Sequence, residues 1–225
     1  FPLGAALAES FGLPAFVHND ASLAALGEAR RGAGRGARML VYLTISTGIG
    51  GGIVVGGRLV DGAHGLAGEL GHVVVRPDSS ARCGAGHAGC LEALASGTAI
   101  ARAAAERRAG GEPTVLEAGA DAADIAAAAR AGDALAASVY ERAAADLGIA
   151  LAGFVNAFDP DVVVLGGGVA LGAWDLLAPG ALRAAAPTIM APGARSWRLV
   201  PAALGDDAGL VGAVEWAEVQ RQARG

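Results

Sequence analysis

The chain reads as an α/β protein. Three observations say so. Short β-rich apolar runs stand at Met39–Ile45 and Asp161–Leu165. Between and after them lie long Ala-rich stretches with apolar residues at helical spacing. The second apolar run ends directly in Gly166-Gly167-Gly168, a strand-to-turn junction common in mixed folds.

In chain order, Ala5–Phe11 reads as the end of a helix, Phe16–His18 as a short strand and Ala21–Arg31 as a helix. Gly32, Gly34 and Gly36 break that helix and suit a hinge. Met39–Ile45 is a strand, Gly50–Gly52 lead into a second at Ile53–Val55, and Gly56-Gly57 turn into Arg58–Val60. His72–Arg76 reads as a further strand and Pro77–Gly89 as a loop without periodicity. Helices are predicted at Leu91–Arg108, Asp121–Arg130 and Asp133–Phe158, with a break at Gly110–Pro113 between the first two. A strand at Asp161–Leu165, a helix near Trp174, a strand at Trp197–Pro201 and a helix at Asp207–Gln222 complete the chain.

Composition narrows the function classes. The 225 residues are 53% hydrophobic, which supports a sizeable core and argues against wholesale disorder. The net charge of -5 argues against a broad nucleic-acid footprint. All 17 basic residues are arginine, so a GxxxxGK[ST] loop is impossible and any triphosphate needs another cradle. The most apolar helical stretch, Leu147–Val155, is far short of a membrane span. No signal peptide is seen, and a cytoplasmic protein is expected. Two cysteines in a chain of this size do not suggest a disulfide scaffold. Phe1 stands in place of an initiator Met inside helical sequence, so an upstream segment is expected.

Four clusters carry chemistry. Val17-His18-Asn19-Asp20 ends a predicted strand and opens a helix. Asp20 suits a general base taking the proton of an attacking hydroxyl. Alone, the pair reads rather as an Asn/Asp helix cap; beside the next motif, the base is the favoured reading. Next, Ser46-Thr47-Gly48-Ile49-Gly50-Gly51-Gly52 separates two strands. Its glycines let backbone N–H groups converge on phosphate oxygens; a tight hairpin would need only one or two of them. Gly166-Gly167-Gly168 follows a buried strand, a nucleotide-binding position or simply close strand–helix packing. Last come Glu69, His72, Cys83, His87, Cys90 and Glu92. The carboxylates and histidine suit sugar hydroxyls, and His72, Cys83, His87 and Cys90 have types and spacings that suit zinc. Buried thiols and solvated charges are the alternative.

Taken in order, VHNDASLAALGE, STGIGGGIVVGGRLVDGAHGLAGELGH, CGAGHAGCLE, VVVLGGG and LGDDAGLVGA resemble the ROK family of repressors, open reading frames and kinases. The resemblance runs from residue 17 to residue 213 and implies an actin-like ATPase fold (hexokinase-like, ribonuclease H-like), two lobes around a cleft. Residues 1–38 with 206–225 would form the small lobe, here incomplete, and 39–205 the large one. By resemblance Asp20 is the catalytic base, and Asn19, Asp20, Glu69, His72 and Glu92 bind the sugar. Ser46, Thr47, Gly48, Gly50, Gly51, Gly167 and Gly168 bind ATP, which acts with Mg2+. The implied activity is transfer of the γ-phosphoryl group to a hexose hydroxyl, the 6-hydroxyl of glucose foremost. A sugar-responsive repressor with an upstream helix-turn-helix domain, or an inactive truncated homologue, is the alternative. A homo-dimer or homo-tetramer is implied, with neither membrane nor, without that upstream domain, nucleic acid as partner. The sequence departs from the family twice. Ala85 replaces a usual cysteine of the structural zinc loop, leaving His87 as a candidate fourth ligand. The family's first phosphate turn, of Asp-Gly-Gly-Thr type, is absent from this sequence.

Overall fold

The computed structural model describes residues 1–190 and 197–222; the remaining parts of the two expected lobes lie outside the described residues. Its centre is a five-stranded sheet of β1 (Met39–Ile45), β2 (Ile49–Val55), β3 (Arg58–Leu59), β4 (Val162–Gly166) and β5 (Arg198–Pro201), in the order β3-β2-β1-β4-β5. The β1–β2 and β2–β3 pairs are antiparallel, and β1–β4 and β4–β5 are parallel.

The helices are α1 (Leu3–Phe11), α2 (Asp20–Arg31), α3 (Leu91–Ala95), α4 (Gly97–Ala109), α5 (Ala122–Arg130), α6 (Ala134–Phe158), α7 (Gly168–Gly172), α8 (Trp174–Ala185) and α9 (Ala208–Gln222). Period-two alternation sorts the central strands between two cores. Val41, Leu43, Ile45, Val163 and Leu165 face a large core with residues of α3 to α6 and α8. Leu40, Tyr42, Val162 and Val164 face a smaller one with Ala24 and Ala25 of α2 and Ala208 of α9. Both faces being covered explains why these strands read as unbroken apolar runs. The final helix packs on α2, and α2 lies on the sheet itself.

Four local expectations are corrected. Residues 16–18 form no strand and do not join the five-stranded sheet. Residues 72–76 are not a strand either. A 3-10 turn over Leu70–His72 leads to a single bridge between Val74 and Cys90. The predicted helix over Leu91–Arg108 is two, because Ser96 is extended and caps α4 by accepting the Ala99 N–H at 3.1 Å. Finally, β2 begins at Ile49, so Gly50, Gly51 and Gly52 are ladder residues opposite Thr44, Leu43 and Tyr42.

Candidate active site

Those three glycines have a steric role. A Cβ on Gly50 would stand 2.8 Å from the Ala21 Cβ, and one on Gly52 would stand 2.6 Å from the Ala25 Cβ. Both would fall inside contact distance of α2. On the opposite face, a Cβ on Gly51 would meet the Gly68 carbonyl oxygen at 2.8 Å. The bare strand therefore lets α2, which starts at Asp20, and the Gly68–His72 segment approach from its two sides. The turn joining β1 to β2 is only Ser46–Gly48, closed by the Ser46 N–H donating to the Gly48 carbonyl at 2.9 Å.

Behind this turn opens a cavity of about 810 Å³. Ser46 and Thr47 line one end with Gly97 and Thr98 of α4, and Gly168 and Val169 form another wall. The first turn of α4 donates to this turn: the Gly97 N–H to the Ser46 carbonyl at 2.7 Å, and the Thr98 hydroxyl and N–H to the Thr47 carbonyl at 2.8 and 3.3 Å. Of the residues assigned to ATP from the sequence, Ser46, Thr47 and Gly168 line the cavity. Gly48, Gly50, Gly51 and Gly167 are not among its lining residues. Gly167 has φ +87°, and its Cβ would stand 2.4 Å from the Ile45 carbonyl oxygen, so it serves the close crossing of β1.

Sequence reasoning missed most of the cavity wall. Arg102, Asp121, Arg130 and Tyr140 line it alongside alanines of α4 and α5. Arg130 is held in place by Asp175 and by the Gly172 carbonyl, to which Nη2 donates at 2.7 Å. Burial pushes the Tyr140 phenol up to about 12, so it stays a neutral donor, and it donates to the Ala122 carbonyl at 2.6 Å. The local signal for this wall was the Asp121 cap of α5; the rest comes together only through folding.

At the other side of β2, Asn19 and Asp20 are exposed at the start of α2. Asn19 is the helix cap, its Oδ1 accepting the Ser22 N–H at 3.0 Å. Asp20 Oδ1 accepts the Ala21 N–H at 2.8 Å. The cap and the candidate base are thus two residues, not one. Glu92, in the first turn of α3, accepts the Ile49 N–H at 2.9 Å beside Gly48. Glu69 is exposed and lies 3.8 Å from Nε2 of His72. The other His72 nitrogen, Nδ1, is 3.8 Å from the Cys83 sulfur.

The ligand atoms of His72, Cys83 and Cys90 lie within 4.8 Å of one another. Two thiols and an imidazole are a soft donor set that suits zinc. Burial pushes the Cys90 thiol up, with the neighbouring Cys83 adding to it. His87 is not in this set, but its Nδ1 is 3.5 Å from His72 Nδ1 and its ring meets His72 edge-on. Among the described residues no helix is long and apolar enough to cross a membrane.

Comparison with known proteins covers almost the whole chain. The model of the ROK family matches residues 1–220. A glucokinase of Halalkalibacterium halodurans is 43% identical over 220 residues, which is 94% of this chain; the chain spans 66% of that relative's length. A ROK family glucokinase of Streptomyces griseus, solved in complex with glucose and AMPPNP, superposes with a TM-score of 0.80 at 36% identity, covering 96% of this chain and 72% of the other. A ROK family transcriptional regulator, described as a homologue of the E. coli MLC protein, superposes with a TM-score of 0.85 at 35% identity, covering 94% of this chain and 53% of the other.

Proposed function

The chain belongs to the ROK family, with its actin-like ATPase fold, and we propose that it is the greater part of an ATP-dependent hexose kinase acting on the 6-hydroxyl of glucose. The observation that carries this reading is the arrangement around β2. The large cavity abuts the Ser46–Gly48 turn, while Asp20 stands at the start of the helix packed on Gly50 and Gly52. A nucleotide in the cavity would place its phosphates at that turn, and a sugar hydroxyl would sit between the turn and Asp20.

In this reading the Asp20 carboxylate accepts the proton of the attacking hydroxyl as the hydroxyl oxygen bonds to the γ-phosphorus, the bond from that phosphorus to the β,γ-bridging oxygen breaks and ADP leaves. Asn19, Glu69, His72 and Glu92 hold the ring hydroxyls and fix the attack direction. Amide groups at Gly48 and Gly50–Gly52 and the hydroxyls of Ser46 and Thr47 stabilise the transferring charge, with Gly167 and Gly168 beside the adenosine and Mg2+ accompanying the triphosphate. A zinc ion held by His72, Cys83 and Cys90, with His87 as fourth ligand, would be structural. It would order the 83–90 loop and hold His72 by one nitrogen while the other faces Glu69. The protein is assigned to the cytoplasm as a homo-dimer or homo-tetramer.

ADP release with MgATP and a panel of hexoses and N-acetylhexosamines tests the reading, with Asp20→Asn in parallel. Sugar-dependent release that collapses in the variant is expected. The high TM-score to the transcriptional regulator favours a second reading, a sugar-sensing effector domain. Sugar binding without any turnover would select it and make operator binding the next measurement.

A further inference from the structure

His18 stands two residues before Asp20 and touches its neighbour Asn19 and two distant parts of the chain. Its Nδ1 accepts the Asn19 backbone N–H at 2.9 Å. An amide nitrogen can only donate, so the proton of the neutral ring sits on Nε2. Nε2 lies 2.9 Å from Asp61 Oδ1 and donates to it. The ring meets Trp216 of α9 edge-on, with centroids 4.7 Å apart.

Asp61 is the base of a loop. The Ala67 N–H donates to the Asp61 carbonyl at 3.1 Å, closing residues 61–67, and residues 62–66 are exposed. Glu69 follows two residues after the closure. A cavity of about 210 Å³, lined by Leu26, Leu59, Asp61 and Trp216 among others, lies beside this base, so close packing does not hold it on that side. The His18–Asp61 hydrogen bond directly joins the segment carrying Asp20 to the one carrying Glu69.

We propose that His18 is a positioning residue for the sugar site. As the Nε2–H tautomer it ties the 61–69 loop to the cap of α2 and sets the spacing between Glu69 and Asp20. This inference rests on the hexose-kinase reading above.

The test compares the full encoded chain with His18→Ala, Asp61→Ala, Asp61→Asn and the His18→Ala/Asp61→Ala double variant. Steady-state kinetics would vary sugar and MgATP separately, and thermal unfolding would monitor the fold. Loss of the tie should raise the sugar KM about tenfold in both alanine variants and leave the MgATP KM within about twofold. Asp61→Asn keeps an oxygen that accepts from Nε2–H and should fall close to wild type. The double variant should lose no more than either single one, because one contact is being removed twice. If His18→Ala does not fold, Asp61→Ala, on the loop, carries the measurement. An unchanged sugar KM in the alanine variants would overturn the inference, as would parallel changes in both KM values or an Asp61→Asn as damaged as Asp61→Ala. A wild-type chain that neither binds nor phosphorylates any hexose would instead bring down the kinase reading and this inference with it.

Discussion

The Glu92 carboxylate accepts the Ile49 backbone N–H at 2.9 Å and lies where a Cβ on Gly48 would fall, 2.6 Å away. One side chain from the first turn of α3 therefore pins the end of the β1–β2 turn. It links the residue assigned to the sugar with the turn assigned to the phosphates. Glu92→Ala should lower kcat/KM for the sugar about 100-fold and also raise the MgATP KM, because the turn loses its tie. Glu92→Gln keeps an acceptor oxygen and should spare the MgATP KM. Two-substrate kinetics on both variants would separate the two roles.

The helix cap belongs to Asn19, and Asp20 accepts only the neighbouring Ala21 N–H, which an Asn oxygen can also accept. Asp20→Asn should therefore lower kcat by about 100- to 10,000-fold while leaving the melting temperature and sugar affinity near wild type. Single-turnover ADP formation with calorimetric sugar binding would show it. A variant that keeps wild-type kcat would remove Asp20 from the role of base.

About one zinc per chain is expected from the His72, Cys83 and Cys90 set completed by His87. Chelation should lower the melting temperature, Cys90→Ser should abolish binding, and His87→Ala should weaken it. Plasma mass spectrometry on protein purified without added metal is the measurement. Metal-free protein of full stability would refute the site.

Two glycines, Gly52 of β2 and Gly153 of α6, give stability predictions of opposite sign. Gly52→Ala would put its Cβ 2.6 Å from the Ala25 Cβ and 3.0 Å from the Ser22 Cα, so α2 would have to shift. Overpacking of this kind should cost about 1–3 kcal/mol in urea unfolding. A Cβ on Gly153 of α6 meets nothing within 4 Å, and Gly153→Ala should stabilise by about 0.5–1 kcal/mol through helix propensity and unfolded-chain entropy.

Acid should loosen the contact between α2 and α9. Glu215 is 6% exposed, and hydrogen bonding to Arg31, then Arg30, holds its carboxyl below the ordinary value of 4.5. A lowered folded pKa means the folded state binds fewer protons, so the contribution is present above 4.5 and disappears as pH falls through the lowered value. Stability measured across that acid range should fall less steeply in Glu215→Gln than in wild type, although the variant is weaker at neutral pH.

The sequence by itself determined whatever depends on neighbours along the chain. Val162–Leu165 throughout, and Met39–Ile45 apart from Thr44, carry apolar or aromatic residues because both faces of those strands are covered, and they were legible as strands. The cap at Asn19, the helix it starts, and the order of the motifs from Val17 to Leu204 were equally legible. What only the tertiary structure decided depends on residues far apart in sequence. That Gly50–Gly52 are ladder residues, bare so that α2 can approach at Gly50 and Gly52 and the Gly68–His72 segment at Gly51, was not legible from the run itself. At the Ser96 break the Gly97 N–H donates to the Ser46 carbonyl, a partner outside the helix that no helical period can reveal. The His18–Asp61 bond spans 43 residues, and the cavity joins Ser46 to Tyr140 and Gly168. Periodicity and capping are short-range and written locally; close backbone approach, cavities and side-chain ties exist only once distant segments are packed together.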